Sequence, residues 1–317
     1  MLDICICTHN PNRQILTIVL QALANQTLSK DRYQVWIFDN VSDLPIDLSD
    51  LAPLTEAKVT FKLLSAPKLG LIYARQVAIE VTNSEWLVFV DDDNELSNNY
   101  LETVLESIAN NPKLGCFGGK LLLPSKTKYP QWTEVMLPYL GIKDAGDEVL
   151  SSCVNYWGEW EPPGAGFVIN REVLDLFQRR LASLSTKFVL GRQGNSLLSA
   201  EDSMITRGAY ELGLDCAYQP KLQLIHHIKP QRFAFLYLLR LLYGYGRSYV
   251  LLERILDNPV PKIEKWSIVE FMVKRIAVRI KDTQSIPHCL CMIAWDCGYL
   301  YESRQSQAIS IGSGSMA

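Results

Sequence analysis

Residues 87–95 read LVFVDDDNE. Four apolar residues of strand character run straight into three consecutive aspartates. Like charges this close repel, and carboxylates gathered in one place cost stability unless a cation joins them. The stretch is therefore either a solvated acidic turn or the cation-facing end of a buried strand. Spacing alone leaves both readings open.

The chain upstream alternates strand and helix signals. LDICICT is a strand, and Arg13 to Asn25 carries Ile15, Val19, Leu20 and Leu23 at helical spacing. YQVWIFD is a second strand ending at Asp39, KVTFKLLS a third, Gly70 to Val81 a helix, and EWLVFV a fourth strand. Such alternation predicts an α/β fold with a parallel sheet and helices on both faces. Short apolar runs such as VWIF and LVFV suit strands buried on both sides. Ligands of such sheets bind outside the carboxyl ends of the strands, so Thr8 to Asn10, Asp39 to Asp43 and Asp91 to Asp93 form one candidate site.

Downstream, Gly115 to Gly166 is rich in Pro, Gly and aromatic residues and reads as long functional loops. Arg171 to Leu181 reads as a helix, another starts near Glu201, and the chain beyond His227 is helical. Phe233 to Leu252 is the most apolar of these stretches, but Arg240 and Arg247 interrupt it, which makes it an amphipathic helix rather than a membrane span. The small, polar end IGSGSMA is expected to be disordered.

A chain of 317 residues, about half of them apolar, can bury a large α/β core with an appendage. Its net charge of -3 and pI near 5.9 give no reason to expect nucleic acid as the main partner, because phosphate neutralisation needs a basic face. Eight cysteines without a C-x-x-C pair read as reduced, buried thiols. MLDICICTHNPNR lacks the regions of a signal peptide. Together these give the expectation of a cytoplasmic protein.

Asp91 and Asp93, two apart, let one loop aim two carboxylates at one hard divalent ion such as Mg2+ or Mn2+. A calcium loop is the poorer match. Asp91, Asp93, Glu95 and Glu102 fit its register, but Leu96 stands where that loop needs Gly and the flank is a strand. Asp39 with Asn40 and Ser42 suits a turn cap, and Glu201 and Asp202 suit a helix N-terminus. Gly164 and Gly166 permit close backbone approach, and Trp157 and Trp160 either offer a ring face to a ligand or fill the core.

ICICTHNPNR, VWIFDNVSD and LGLIYARQVAIEVTNSEWLVFVDDDNEL resemble the successive nucleotide-binding segments of family-2 glycosyltransferases of the GT-A fold. FGGKLLLP, GAGFVINREVL, LGRQGNSLLSAEDSMITRGAYELG and YQPKLQLIHHIKPQRF resemble the acceptor-side half, in the same order, so that the likeness covers roughly residues 3 to 250. It implies a catalytic domain over 1–230, with a nucleotide-sugar half to about 115 and an acceptor half from about 116. A C-terminal helical extension over 231–305 and a tail over 306–317 follow.

The resemblance also implies an inverting, metal-dependent transfer from a nucleoside diphosphate sugar, commonly a UDP-sugar, to a glycan or lipid-linked glycan in polysaccharide or cell-surface synthesis. Asp91 and Asp93 occupy the DxD positions, with Asp93 the first choice for the metal and Asp91 its helper; Asp92 lies between them. His226 completes the metal site in this likeness, with His227 the fallback. Thr8, His9, Asn10 and Arg13 line the nucleotide pocket, Asp39 reads the base, and Arg75 supports a phosphate or the acidic loop. Asp202 is the base that takes the acceptor proton, with Glu201 competing for that role. Trp157, Trp160, Gly164, Gly166 and Arg192 fall on the acceptor side. The basic and apolar helices after Arg232 either pack conventionally or lie at the inner face of an anionic membrane.

Two rivals stand beside this reading. One is a sugar-nucleotide-binding partner without transfer activity, against which both intact acidic sites argue. The other is a nucleotidyltransferase, which would carry a basic, Gly-rich loop where this chain has CTHNPNR.

Overall fold

The computed structural model describes residues 1–184, 191, 197–261 and 267–305. Strand β1 (Leu2–Thr8) leads into helix α1 (Arg13–Ala24), whose N-cap Asn12 accepts from the amides of Gln14 and Ile15. That side chain satisfies donors that have no partner inside the helix. Leu16, Val19, Leu20 and Leu23 form the helix's buried face. Strand β2 (Tyr33–Asp39), β3 (Phe61–Ser65), α3 (Leu71–Val81) and β4 (Trp86–Phe89) follow in the expected order, with a short α2 (Ala52–Glu56) between β2 and β3 that the sequence reading lacks.

The next elements are β5 (Asn94–Leu96), α4 (Tyr100–Asn110), β6 (Leu114–Leu122), β7 (Leu150–Ser152), β8 (Phe167–Asn170), α5 (Arg171–Ser183), α6 (Glu201–Glu211) and β9 (Asp215–His226). Helices α7 (Phe235–Ile255), α8 (Ile268–Asp282) and α9 (Ile286–Ser303) close the described chain. Among the described residues the strands form one sheet in the order β3-β2-β1-β4-β8-β6-β9-β5, with β7 paired to β9. Strands β3, β2, β1 and β4 are parallel; β8 joins β4 and β6 antiparallel, and β9 runs parallel to β6. The ends of β1, β2 and β4 thus open on one edge, as the strand pattern predicts.

One departure from the sequence reading lies in the stretch 115–166. It is not loop throughout, because β6 runs for nine residues to Leu122. One glycine of the pair that obscures the strand is what the pairing needs. A Cβ at Gly119 would stand 1.9 Å from the carbonyl oxygen of Leu222 on β9, so only glycine fits that approach.

The chain divides into two compact units. The first comprises Met1–Thr127, Gly141–Phe177 and Ile205–Ile228 and holds the sheet, with Ile4, Val35, Val88, Phe117, Val168 and Leu222 in its core. The second comprises Lys128–Leu140, Gln178–Met204 and the chain from Lys229 onward. Within it α7 and α9 cross at two glycines. A Cβ at Gly246 would lie 2.0 Å from the Trp295 oxygen, and one at Gly298 would lie 2.1 Å from the Tyr243 oxygen. Buried Asp296 on α9 accepts from Arg275 and Arg279, which fastens α8 to it. No described helix is long and apolar enough to cross a membrane. The expected tail over 306–317 lies outside the described residues.

Candidate active site

The acidic stretch is a closed turn. Val90 N donates to the Cys5 carbonyl at 3.0 Å, which extends the β1–β4 ladder to the start of the aspartates. Asn94 then locks the turn: its Oδ1 accepts from Asp91 N at 3.1 Å, its own N donates to the Asp91 oxygen at 3.1 Å, and its Nδ2 donates to Asp93 Oδ1 at 3.1 Å. Asn94 is fully buried, and nothing in the sequence separates it from an ordinary polar residue after DDD.

Register brings in the histidine. Strand β5 pairs antiparallel with the end of β9, with Asn94 opposite His226, and His227 N donates to the Asp93 carbonyl at 2.8 Å. His226 Nε2 consequently stands 3.4 Å from Asp93 Oδ1, with both residues buried. The His226 Nδ1 is buried with no hydrogen-bond partner among the described residues. His227 is occupied otherwise, its Nε2 lying 2.8 Å from Glu95 Oε2. The three aspartates are unequal, since Thr8 Oγ1 donates to Asp92 Oδ2. Arg75, Asp91 and Asp92 all act on half-buried Cys7, whose thiol is pushed up to about 12: burial is the main cause, Arg75 opposes it and the two aspartates add to it.

At the end of β2 the candidate nucleotide residues hold one another. Asp39 Oδ1 accepts from Ser42 N at 3.1 Å and Oδ2 from Ile46 N at 2.9 Å. Burial pushes this carboxyl up, but the hydrogen bonds from Ser42 and Ile46, with the Arg13 charge, outweigh it and hold it below its ordinary value. Asp39 therefore caps a turn, and each oxygen keeps a lone pair for another donor. Asn10, at φ 50°, and Asp43 exchange hydrogen bonds, and His9 Nδ1 lies 2.9 Å from the Asn40 carbonyl. Arg13 pairs with Asp50 and donates to the Leu44 carbonyl at 2.6 Å, which ties down the loop after β2. Asn40, read from the sequence as part of a turn cap, instead donates to the Ala66 and Lys68 carbonyls and accepts from Gly70 N at 2.7 Å. It fastens β2 to the start of α3, the helix that carries Arg75. Arg75 is buried, donates to the Gly164 carbonyl at 3.3 Å and lies 5.3 Å from the centre of the Phe89 ring.

The aromatic loop contains a second cluster that motif reading missed. Arg207 Nη1 donates to Glu161 Oε1, and both side chains are buried. The guanidinium lies 4.4 Å over Trp157 and 5.4 Å over Tyr210, whose hydroxyl donates to Glu161 at 3.1 Å and accepts from Trp160 Nε1 at 2.9 Å. Trp160 is thus tied inward, whereas Trp157 keeps 44 % of its surface exposed. Gly166, at φ 63°, is a necessary glycine, since a Cβ there would meet Leu224 at 2.5 Å and the Tyr100 hydroxyl at 2.6 Å. Glu201 and Asp202 open α6 as expected, directly after Ala200 at φ 94°, a strained backbone for a residue with a Cβ. Glu201 is buried, and Asp202 Oδ1 accepts from Ser203 N at 2.8 Å. Arg192 lies outside the described residues.

Among the described residues no three or more His, Cys, Asp or Glu side chains gather as a metal cage, so Asp91, Asp93 and His226 are not assembled as a threesome. The adjacent pair Asp93 and His226 does fit a divalent ion that arrives on a diphosphate, because such ions take one or two protein ligands and fill the rest with phosphate oxygen and water. Nε2 is the ring nitrogen that would hold the ion beside Asp93, and the orphaned Nδ1 points away from that pair.

A parallel half-sheet opening on an acidic loop, extended by an antiparallel half that returns a histidine to that loop, defines a glycosyltransferase of the GT-A fold. The chain belongs to glycosyl transferase family 2, whose pattern matches residues 3–177. Among solved structures, the mannosyltransferase PcManGT from Pyrobaculum calidifontis, in complex with GDP-Man and Mn2+, is 15% identical, with 95% of this chain and 69% of that chain covered and a TM-score of 0.54. TarS 1-349 from S. aureus is also 15% identical, covering 96% and 89% with a TM-score of 0.48. Against a longer TarS chain the identity is 16%, the coverage 96% and 54%, and the TM-score 0.49. These likenesses concern the fold. No curated protein matches the chain.

Proposed function

We propose that this chain transfers a sugar, with inversion, from a nucleoside diphosphate donor to a hydroxyl of a glycan, and that Mn2+ or Mg2+ assists. The observation that carries the reading is the buried Asp93–His226 pair at 3.4 Å, held by the β5–β9 register at the mouth of the parallel strands. In this reading Asp93 and His226 hold the ion. When bound, it stabilises the negative charge that develops on the departing diphosphate.

The protein's own groups would do the rest. Thr8, His9, Asn10, Arg13 and Asp39 receive the nucleoside, with Asp39 accepting from a base N–H, as uracil offers. Arg75, Asp91 and Asp92 flank the diphosphate. Trp157 offers an exposed ring face to the acceptor, Gly164 and Gly166 keep its backbone approach open, and Trp160 steadies the loop. The acceptor oxygen bonds to the anomeric carbon, the bond from that carbon to the diphosphate oxygen breaks, and the hydroxyl proton passes to Asp202, with Glu201 beside it. UDP-sugars are the first donors to try.

Calorimetric titration of a nucleotide-sugar panel, with and without Mn2+, tests the proposal. Asp93→Ala and His226→Ala are each expected to weaken Mn2+-dependent donor binding by about tenfold or more, or ~1.4 kcal/mol. Asp202→Asn should keep donor binding and lose transfer. Binding that is equally tight without metal and in Asp93→Ala would sink the account of the acidic turn. Tight binding without hydrolysis or transfer would point to a binding partner rather than an enzyme.

A further inference from the structure

Helix α8 carries apolar residues on two sides: Phe271 stacks on Tyr299 of α9 with ring centres 6.2 Å apart, while a second apolar row faces away from that contact. None of its residues is buried, yet Val269, Val273 and Ile280 are 72%, 61% and 67% exposed. At 100° per residue these three fall within about 40° of arc, so they form one apolar ridge rather than scattered contacts. The cause of the orientation is on the neighbouring helix. Fully buried Asp296 takes Arg275 and Arg279, and together with the Phe271–Tyr299 stack these pairs fix which side of α8 is held against α9. The ridge, roughly a third of a turn away, is left to solvent. Ile286 and Leu290 extend the exposed apolar surface onto the first turns of α9.

Charge says what covers it. Residues 229–305 hold twelve Lys and Arg against seven Asp and Glu, although the whole chain carries a net charge of -3. The ridge is edged by Lys281 and by Lys274, which pairs with Glu270 at 2.6 Å. A second copy presenting the same face would set this basic segment against itself, since a two-fold interface is self-complementary. An anionic bilayer matches both properties at once: apolar side chains enter the acyl boundary, while Lys and Arg meet lipid phosphates and the acidic remainder of the chain is repelled.

We propose that the α8–α9 hairpin docks this protein on an anionic membrane surface through Val269, Val273 and Ile280. The ridge lies outside every residue assigned to transfer, so the proposal stands apart from the donor reading, and binding is scored without donor. The test is flotation of the full chain with vesicles of phosphatidylcholine alone and of phosphatidylcholine mixed with phosphatidylglycerol. The chain should float with the anionic mixture, less with the zwitterionic one, and less again as salt is raised. Val269→Ser/Val273→Ser/Ile280→Ser should lower partitioning about tenfold or more while leaving the thermal unfolding curve in place. Leu44→Ser/Leu48→Ser, an equally exposed apolar pair elsewhere, should leave it unchanged. Absence of flotation with anionic vesicles, or equal flotation of the triple variant, overturns the proposal. A dimer in solution that the triple variant converts to monomer, without vesicle binding, overturns it in favour of self-association.

Discussion

Glu161→Gln is expected to destabilise the first unit far more than a single charge change usually does. The Glu161 and Arg207 side chains are only 9% and 4% exposed, so the change removes the counter-charge of a buried guanidinium without opening a path for water. Breaking a buried pair from one side costs about 3–5 kcal/mol. Two features soften that cost: Arg207 keeps its ring contacts with Trp157 and Tyr210, worth about 1–2 kcal/mol where water is excluded, and Gln still accepts one hydrogen bond. The net expectation is about 2–4 kcal/mol, or a fall of roughly 4–16 °C in Tm at the 2–4 °C per kcal/mol typical of larger domains. Differential scanning calorimetry with a double-mutant cycle measures it. Arg207→Met in the Glu161→Gln background should recover most of the loss, because the neutral Gln–Met pair no longer buries an unbalanced charge. A Glu161→Gln Tm within about 2 °C of the parent, or a double variant as unstable as the single, would refute the reasoning.

Two further outcomes are expected. Gly298→Ala should lose several kcal/mol or fail to fold, because its Cβ would lie 2.1 Å from the Tyr243 carbonyl, whereas Gly213→Ala, with open space and φ 69°, should cost about 1–2 kcal/mol; chemical denaturation of both compares steric closeness with backbone strain. Lys143 donates to the Glu161 carbonyl at 2.5 Å, and burial lowers its pKa from 10.5 to about 8 despite nearby Glu161 and Glu159. Between those pH values the unfolded chain holds a proton that the folded chain has released, so this group's contribution to stability rises with pH across the window and is least favourable below about 8. The stability difference between the parent and Lys143→Met should therefore shift in the parent's favour from pH 8 to 10.5, and a flat difference would contradict it.

The parts of the fold legible in the sequence are those whose physical cause is local. Strands β1, β2 and β4 are buried on both faces and so appear as unbroken apolar runs, and α1 shows its buried face at helical spacing. Strand β6 is illegible for the opposite reason. Gly118 and Gly119 look like loop residues until β9 is placed 1.9 Å from where a Cβ would stand. Gly246 and Gly298 present the same difficulty in the second unit, because each glycine is explained by a backbone more than forty residues away and by nothing beside it.

The candidate site divides along the same line. Asp39 and the acidic turn stand at strand ends, where the chain itself announces a ligand-facing edge. His226 next to Asp93 follows instead from antiparallel register, and a one-residue slip of β5 against β9 would turn the ring to the other face and bring His227 to the same place. Family likeness can favour one histidine, but the choice has a physical cause only once Glu95 is seen to hold His227 at 2.8 Å. Breaking that contact tests the dependence: Glu95→Ala should let His227 compete for the position beside Asp93, and His226→Ala should then lose less Mn2+-dependent donor affinity in the Glu95→Ala background than in the parent. Equal losses in the two backgrounds would mean that register alone, and not the Glu95 contact, selects the histidine.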